Sequence, residues 1–165
     1  MLLGLSRIIG CPGGVVPFEV SLDLSDETFG SCRPVQEQVM ARGQVRNTAG
    51  VLVLSGTVST ALHGVCDRCA SEFLREVSYP MNAVLVTSLE NEDDADEWTF
   101  LLQDNQADLG EIVKTVFVLS MDAKMLCRED CKGLCPTCGK NLNGGPCGCR
   151  PEPDPRFAAL GQLLK

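Results

Sequence analysis

The most regular hydrophobic pattern in the chain is an alternation of apolar and polar side chains over residues 51–63. The apolar positions are Leu52, Leu54, Val58 and Leu62. The positions between them include Ser55, Thr57 and Ser59. A period of two residues is typical of a β-strand with one buried face, because successive side chains point to opposite sides of a sheet. The pattern therefore predicts a long strand.

Other segments predict further strands. They are residues 15–24, residues 36–47 and a second alternation from Phe73 to Leu85, and a short apolar piece follows at residues 98–102. The segment at residues 36–47 ends in the turn sequence Asn47-Thr48-Ala49-Gly50. That turn predicts an antiparallel hairpin with the strand at residues 51–63.

One central helix is predicted to begin after Asp108. The short carboxylate of Asp108 is a good helix N-cap, and Glu111 follows at the capping-box spacing. Apolar residues then recur at helical spacing at Ile112, Val113, Val116 and Phe117. A second, short helix is predicted at the C-terminal end, where Asp154 would cap it and Pro155 would occupy its first position.

These elements predict an α+β fold, with an antiparallel β-rich body, one central helix, a cysteine-rich zinc module and a short C-terminal helix. We place the body with its helix at residues 1–122, and the cysteine module with the closing helix at residues 123–165. The chain has 165 residues, of which 44% are hydrophobic, so it can bury a core. A disordered tail and a fold held by disulfides alone are therefore excluded.

Candidate chemistry is concentrated in the cysteines. Eight of the ten lie in close groups, namely Cys66, Cys69, Cys127, Cys131, Cys135, Cys138, Cys147 and Cys149. Two thiolates separated by two residues can bind one zinc ion across a tight turn, and a closed zinc site needs four ligands. We therefore predict zinc as the cofactor and these eight cysteines as its ligands. Cys11 and Cys32 stand alone and are interpreted as small apolar residues.

The spacing favours two sites of four thiolates. Cys135, Cys138, Cys147 and Cys149 are close enough in the chain to form one site. The remaining four, Cys66, Cys69, Cys127 and Cys131, would then form the other. A single ribbon-like site made of Cys66, Cys69, Cys135 and Cys138 is an open alternative.

The negative charge of the chain is localised. The formal net charge is −8, and residues 88–111 hold nine acidic and no basic residues. The segment Glu90-Asn91-Glu92-Asp93-Asp94-Ala95-Asp96-Glu97 is interpreted as a solvated loop, with a docking site for a basic protein as the alternative. Five bases surround the cysteines, at Lys124, Arg128, Lys132, Lys140 and Arg150, and they would be the footprint of any contact with RNA.

The sequence favours a cytoplasmic protein. Residues 8–11 resemble a lipobox, but no basic start precedes them and Arg7 interrupts the apolar run. No other apolar stretch approaches the roughly 18 residues that a membrane span needs. We expect a soluble, cytoplasmic chain with cysteines that are not paired in disulfides.

The sequence contains few residues that could form a catalytic site. It contains one histidine, His63, for which we expect no catalytic role, since no Ser/His/Asp set is present. It also contains no Gly-rich phosphate loop that opens a helix and no H-E-x-x-H motif. We therefore expect a non-catalytic protein.

Several motifs together resemble those of the bacterial YceD family over nearly the whole chain. They are Met1-Leu2-Leu3 with Ser6, Cys11-Pro12-Gly13-Gly14, Leu22-Asp23-Leu24, Gly43-Gln44-Val45-Arg46-Asn47-Thr48-Ala49-Gly50-Val51, Cys66-Asp67-Arg68-Cys69, Cys131-Lys132-Gly133-Leu134-Cys135-Pro136-Thr137-Cys138-Gly139-Lys140-Asn141-Leu142-Asn143, Cys147-Gly148-Cys149 and Asp154-Pro155-Arg156-Phe157-Ala158-Ala159-Leu160.

The resemblance implies a role in ribosome biogenesis, because this family is associated with accumulation of the large-subunit (23S) ribosomal RNA. The expected partner is the assembling large ribosomal subunit, through rRNA or a basic ribosomal protein, with no membrane and no small-molecule substrate. The resemblance supplies neither a molecular mechanism nor the number of zinc ions. A zinc-thiolate redox sensor or chaperone is the alternative function.

Overall fold

The structure of the protein is a computed structural model that describes residues 1–29, 32–88 and 98–149. The chain divides into two compact units. The first comprises Met1–Gly64 and Phe73–Lys124, and the second comprises Val65–Glu72 and Met125–Lys165. The second unit therefore takes in residues 65–72 as well as the region predicted to be a cysteine module. The predicted domain boundary between residues 122 and 123 stays a prediction.

The secondary structure is mostly β-sheet. In chain order the elements are β1 (Leu2–Gly4), α1 (Ser6–Ile9), β2 (Val15–Leu22), β3 (Val39–Thr48), β4 (Val51–Val65), β5 (Glu72–Val86), β6 (Thr99–Leu101), β7 (Gln106–Asp108), α2 (Leu109–Ser120) and a short 3-10 turn (Leu142–Gly144). The predicted C-terminal helix from Asp154 and the acidic segment at residues 90–97 lie outside the described residues.

The main sheet has the strand order β2-β3-β4-β5-β6, and β1 pairs with β7 in a small second sheet. The predicted hairpin of β3 and β4 is confirmed, with Val45 opposite Leu54. Its turn consists of Ala49 and Gly50, both with positive φ, and Gly50 donates its N–H to Asn47 Oδ1 at 2.8 Å. Two successive residues with positive φ are typical of the turn that matches the twist of a hairpin.

The expectation of a wholly antiparallel body is wrong at one strand. β6 pairs with β5 in parallel, with Val84 opposite Thr99. Parallel neighbours need a connection that carries the chain back along the sheet. Alternation of apolar residues predicts a strand but carries no information on its direction, which is why the sequence could not indicate this pairing.

The core of the first unit contains the predicted faces. It includes Leu52, Leu54, Val58 and Leu62 of β4, Met81, Ala83 and Leu85 of β5, and Ile112, Val113, Val116 and Phe117 of α2. Phe117 is fully buried, and its ring lies edge-on to those of Phe29 and Tyr79 at 6.0 Å. Burial of a side chain of this size contributes about 1.5–3 kcal/mol to the free energy of unfolding.

The predicted N-cap of α2 is confirmed. Asp108 Oδ1 accepts hydrogen bonds from the backbone N–H groups of Gly110 at 2.9 Å and Glu111 at 3.5 Å.

Among the described residues, no helix has both the length and the apolar composition that a membrane span requires.

Candidate metal centre

Eight cysteine sulfurs of the second unit form two groups of four. Centre 1 consists of Cys66, Cys69, Cys127 and Cys131, and centre 2 consists of Cys135, Cys138, Cys147 and Cys149. Within each group all four Sγ atoms lie within 4.8 Å of one another. These are the two groupings predicted from the spacing. The alternative ribbon-like site would join Cys66 and Cys69 to Cys135 and Cys138, and among the described residues the sulfurs do not group in that way.

The sulfur separations in centre 1 fit a zinc ion. The Sγ atoms of Cys66 and Cys131 are 3.8 Å apart, and those of Cys69 and Cys127 are also 3.8 Å apart. Four sulfurs placed about 2.3 Å from a central ion in a tetrahedron would be separated by about 3.8 Å. The donor set and its dimensions therefore match a tetrathiolate zinc site.

A tight turn brings the first two ligands of centre 1 together at the end of β4. The N–H of Ala70 donates to the carbonyl of Cys66 at 2.8 Å, and Ala70 has a φ of 54°. Asp67, within this turn, makes two hydrogen bonds to Met125. Its N–H donates to the carbonyl of Met125, and its carboxylate accepts from the N–H of Met125 at 2.7 Å. The segment that carries Cys127 is thereby held against the first turn.

Centre 2 uses the same kind of turn. The N–H of Gly139 donates to the carbonyl of Cys135 at 2.9 Å, and Gly139 has a φ of 70°. The N–H of Cys135 donates in turn to the carbonyl of Lys140, so that the chain doubles back directly after the turn. Each C-x-x-C pair is thus followed by a residue with left-handed backbone, whose N–H closes the turn on the first cysteine.

Backbone N–H groups stabilise a negative charge on the first cysteine of each pair. Burial raises the pKa of Cys66, but backbone N–H groups, among them that of Cys127, hydrogen bond to its sulfur and bring the pKa down to about 6. Backbone N–H groups of Cys138 and Thr137 lower the pKa of Cys135 to about 6. The first cysteine of each turn is therefore prepared to be a thiolate, which is the form that binds metal.

One cysteine of each centre has the opposite tendency. Burial and the neighbouring sulfurs raise the pKa of Cys127 to about 12. The adjacent sulfur of Cys138, together with burial, raises the pKa of Cys149 to about 12. Four thiolates this close repel one another strongly, and a divalent cation at the centre removes that repulsion. The electrostatics of both groups therefore fit a bound metal ion.

Arg68 links the first turn to the segment that carries Cys131. Its guanidinium Nη1 donates to the carbonyls of Glu129 and Cys131 at 3.2 and 3.1 Å, and its own carbonyl accepts from the N–H of Leu134 at 3.1 Å. Gly133, with a φ of 72°, lies so close to Arg68 that an added Cβ would be 3.0 Å from the Arg68 carbonyl oxygen. The chain between the two centres is therefore packed directly on the first turn.

Two asparagines that the sequence did not single out as site residues lie at or beside centre 1. Asn143 donates from Nδ2 to the sulfur of Cys131 at 3.3 Å, and Asn141 donates from Nδ2 to Ser71 Oγ at 3.1 Å. Both lie between the two ligand pairs of centre 2. The only available signal was the pair of asparagines in a loop flanked by cysteines, which has no fixed relation to a site.

The remaining cysteines and the histidine belong to the first unit and to neither group. Cys11 is exposed, and the thiol of Cys32 donates to the carbonyl of Phe29 at 3.2 Å. His63 Nε2 lies 3.9 Å from Glu37 Oε1. None of these three belongs to a group of potential ligands among residues 1–29, 32–88 and 98–149.

Comparison with known proteins gives a family match and several relatives. Residues 54–164 match the family model described as "Large ribosomal RNA subunit accumulation protein YceD", and the matched region includes all eight clustered cysteines. An uncharacterized protein of Mycobacterium tuberculosis is 33% identical over 123 residues, covering 70% of this chain and 56% of that protein. No solved structure is detectably similar.

A plant protein carries a descriptive name. The "Large ribosomal RNA subunit accumulation protein YCED homolog 1, chloroplastic" of Zea mays is 27% identical over 144 residues, covering 69% of this chain and 49% of that protein. The Arabidopsis thaliana protein of the same name is 34% identical over 59 residues, covering 35% of this chain and 18% of that protein. The chain thus spans about half the length, or less, of these curated relatives.

Proposed function

The chain belongs to the YceD family, and from this premise we propose that it is a non-catalytic zinc-binding factor of ribosome biogenesis, which acts in the cytoplasm to support accumulation of large-subunit (23S) rRNA. The ribosomal part of the proposal rests on the description of the family. The metal part rests on one observation, the assembly of eight cysteine sulfurs into two groups of four.

The donor set supports zinc in a structural role. Four thiolates in a tetrahedral arrangement are typical of zinc or of iron–sulfur clusters, and the 3.8 Å sulfur separations of centre 1 suit a single ion. A catalytic zinc keeps one coordination position for water or substrate, whereas four cysteines fill every position. This supports a protein without enzymatic activity.

The charge of the second unit supports recruitment through a protein rather than directly through RNA. Its described residues include four basic side chains, Arg68, Arg128, Lys132 and Lys140, and four acidic ones, Asp67, Glu72, Glu129 and Asp130. Two divalent ions held by eight thiolates would add about −4. A surface of that sign repels phosphate, so we propose a basic ribosomal protein of the assembling large subunit as the direct partner.

Some of the bases in the proposed RNA footprint are engaged locally. Arg128 donates to Asn143 Oδ1 at 2.9 Å and pairs with Asp130 at 3.3 Å, while Lys140 donates to the carbonyl of Pro146 at 3.1 Å. Arg150 lies outside the described residues. Arg128 and Lys140 are therefore less available to bind phosphate.

Sedimentation of cell extracts tests the proposal. A tagged chain should migrate with precursors of the large subunit, and a variant with Cys135→Ser and Cys138→Ser should not. The matched control is Cys11→Ser, which removes an exposed thiol outside both centres. Migration of the parent with free protein only, in growing cells, would overturn the ribosomal role.

A redox-sensing function is the second candidate, and one observation favours it. Cys138 of centre 2 is exposed, whereas Cys66, Cys69 and Cys131 of centre 1 are buried. Oxidants reach exposed thiolates first, so centre 2 offers a point of attack.

A further inference from the structure

Asn143 lies where the two centres meet within the second unit. It belongs to the 3-10 turn Leu142–Gly144, which follows Cys138 and precedes Cys147, two ligands of centre 2. Its side chain is half-buried and is directed toward Cys131, a ligand of centre 1. One residue of the centre 2 loop therefore contacts the sulfur of the other centre.

The orientation of the Asn143 amide is determined by its partners. Its Oδ1 accepts from the backbone N–H of Lys132 at 2.8 Å and from Arg128 Nη2 at 2.9 Å. Both partners are donors, so the atom that faces them must be the oxygen. The Nδ2 group is then left facing the sulfur of Cys131 at 3.3 Å. A hydrogen bond of this kind to a thiolate is charge-assisted and therefore strong.

A second asparagine holds the same loop in place. Asn141 Oδ1 accepts from the N–H of Asn143 at 2.9 Å, and Asn141 Nδ2 donates to Ser71 Oγ at 3.1 Å. Ser71 follows the first C-x-x-C turn, and its carbonyl accepts from the N–H of Cys66 at 2.9 Å. The loop between the ligand pairs of centre 2 therefore contacts the sulfur of Cys131 in centre 1 and, separately, Ser71 beside the first turn.

We propose that Asn143 is a positioning residue for Cys131 and that it couples the two centres, so that a metal ion in centre 2 increases the affinity of centre 1. This inference rests on the proposed zinc binding. A metal bound by Cys138 and Cys147 fixes both ends of the loop and orders Asn143 before centre 1 binds its ion. Coupling of binding free energies is reciprocal, so an ion in centre 1 increases the affinity of centre 2 by the same factor.

Two substitutions separate hydrogen-bond donation to sulfur from support of the loop. Asn143→Ala removes all side-chain contacts. Asn143→Asp keeps the shape and the oxygen that accepts from Lys132 and Arg128, but it places a carboxylate oxygen against the sulfur of Cys131. An aspartate variant that behaves like the parent would show that Asn143 only supports the loop. If it positions the thiolate, both variants weaken centre 1.

The experiment measures zinc affinity at each cysteine. The zinc-loaded full chain is titrated with a competing chelator, free thiols are alkylated at each step, and mass spectrometry identifies the alkylated cysteines. In both Asn143 variants we expect the cysteines of centre 1 to react at about 10–100-fold lower chelator activity than in the parent, while those of centre 2 react later. The control is Asn82→Ala, an exposed asparagine on β5 that should leave both centres unchanged.

Two further measurements complete the test. In cobalt-loaded protein, loss of the N–H group should shift the thiolate-to-cobalt charge-transfer band to lower energy, since the hydrogen bond stabilises the sulfur lone pair. Joint Cys147→Ser and Cys149→Ser substitution should remove centre 2 and also lower the zinc affinity of centre 1. Unchanged affinity of centre 1 in that variant would overturn the coupling.

Each remaining outcome is decisive. A parent-like Asn143→Asp variant overturns the positioning role and leaves the proposed zinc binding intact. If the cysteines of centre 1 react as in the parent while those of centre 2 react earlier in both Asn143 variants, the assignment to centre 1 is overturned, because the effect then lies at the other centre. A parent that binds no zinc overturns the proposed function and this inference together.

Discussion

Ala70 and Gly139 occupy the same position in two matching turns. Each follows the second cysteine of a C-x-x-C pair, has a positive φ of 54° or 70°, and donates its N–H to the carbonyl of the first cysteine. Only one of the two is a glycine, although the left-handed conformation costs a residue with a Cβ about 1–2 kcal/mol. The first turn therefore carries backbone strain that the second does not.

Exchange of these residues should change stability in opposite directions. Ala70 is exposed, so Ala70→Gly loses little packing and should raise the free energy of unfolding of the metal-loaded protein by up to about 1 kcal/mol. A Cβ at Gly139 would have no neighbour within 4 Å, so Gly139→Ala should lower it by about 1 kcal/mol through φ alone. Denaturant unfolding measures both changes. If both substitutions change the free energy of unfolding in the same direction, the turns are not equivalent.

Loss of a ligand should damage the second unit far more than loss of a lone thiol. Cys69→Ser removes one of four ligands from centre 1, and structural zinc contributes on the order of 10 kcal/mol in small zinc peptides. We expect a large fall in the thermal midpoint and the loss of one zinc ion per chain. The comparison is Cys11→Ser, which should unfold like the parent. A Cys69→Ser melting curve that matches the parent would show that Cys69 is not a ligand.

A structural feature could be predicted from the sequence when the residues that form it are close together in the chain. β4 and the N-cap at Asp108 rest on local patterns, and the sequence indicated both. α1 was missed because its stabilising contacts are distant: Asn47, 1% exposed, donates from Nδ2 to the carbonyls of Ile8 and Ile9 at 2.6 and 2.9 Å. The pairing of β1 with β7 joins Leu2 to Asp108 across most of the chain, and no local pattern predicts such a contact.

The same distinction applies to the candidate site. Four-ligand stoichiometry and the spacing of the cysteines were enough to predict both groups, because each group contains at least one pair that is close in the chain. Asn143 could not be predicted, since its contact with Cys131 depends on how the loop after Cys138 folds back. Ligation itself stays a prediction for all eight cysteines.

Oxidation should distinguish a structural zinc protein from a redox sensor. We expect peroxide to oxidise the exposed, unligated Cys11 before either centre, because thiolates in a closed zinc site are shielded by the metal and the surrounding turn. Between the centres, centre 2 should release its ion first, since Cys138 is exposed. Mass spectrometry of alkylated peptides gives the order. Oxidation of centre 2 ahead of Cys11 would favour the redox sensor.

The acidic segment offers a test of the partner's charge. Joint replacement of Glu92, Asp93, Asp94 and Asp96 by their amides should weaken association with assembling large subunits and make the remaining binding less sensitive to salt, because a basic protein would lose its attraction. Sedimentation at low and high salt measures this effect.

A charge-matched control uses four exposed acids of the first unit outside residues 88–111, by amide replacement of Glu19, Asp26, Glu37 and Glu76. We expect this variant to bind like the parent. If the variant of the acidic segment also binds like the parent at low salt, the segment is only a solvated linker and the partner must contact another surface.

Metal content is the most direct test of the central claim that eight cysteines form two tetrathiolate centres. The chain, purified without chelators, is analysed by elemental mass spectrometry and by intact-protein mass spectrometry under non-denaturing conditions. We expect two zinc ions per chain and no disulfides, because each group brings four sulfurs to within 4.8 Å of one another. A reproducible content of one ion per chain, or disulfides in place of metal, would contradict it.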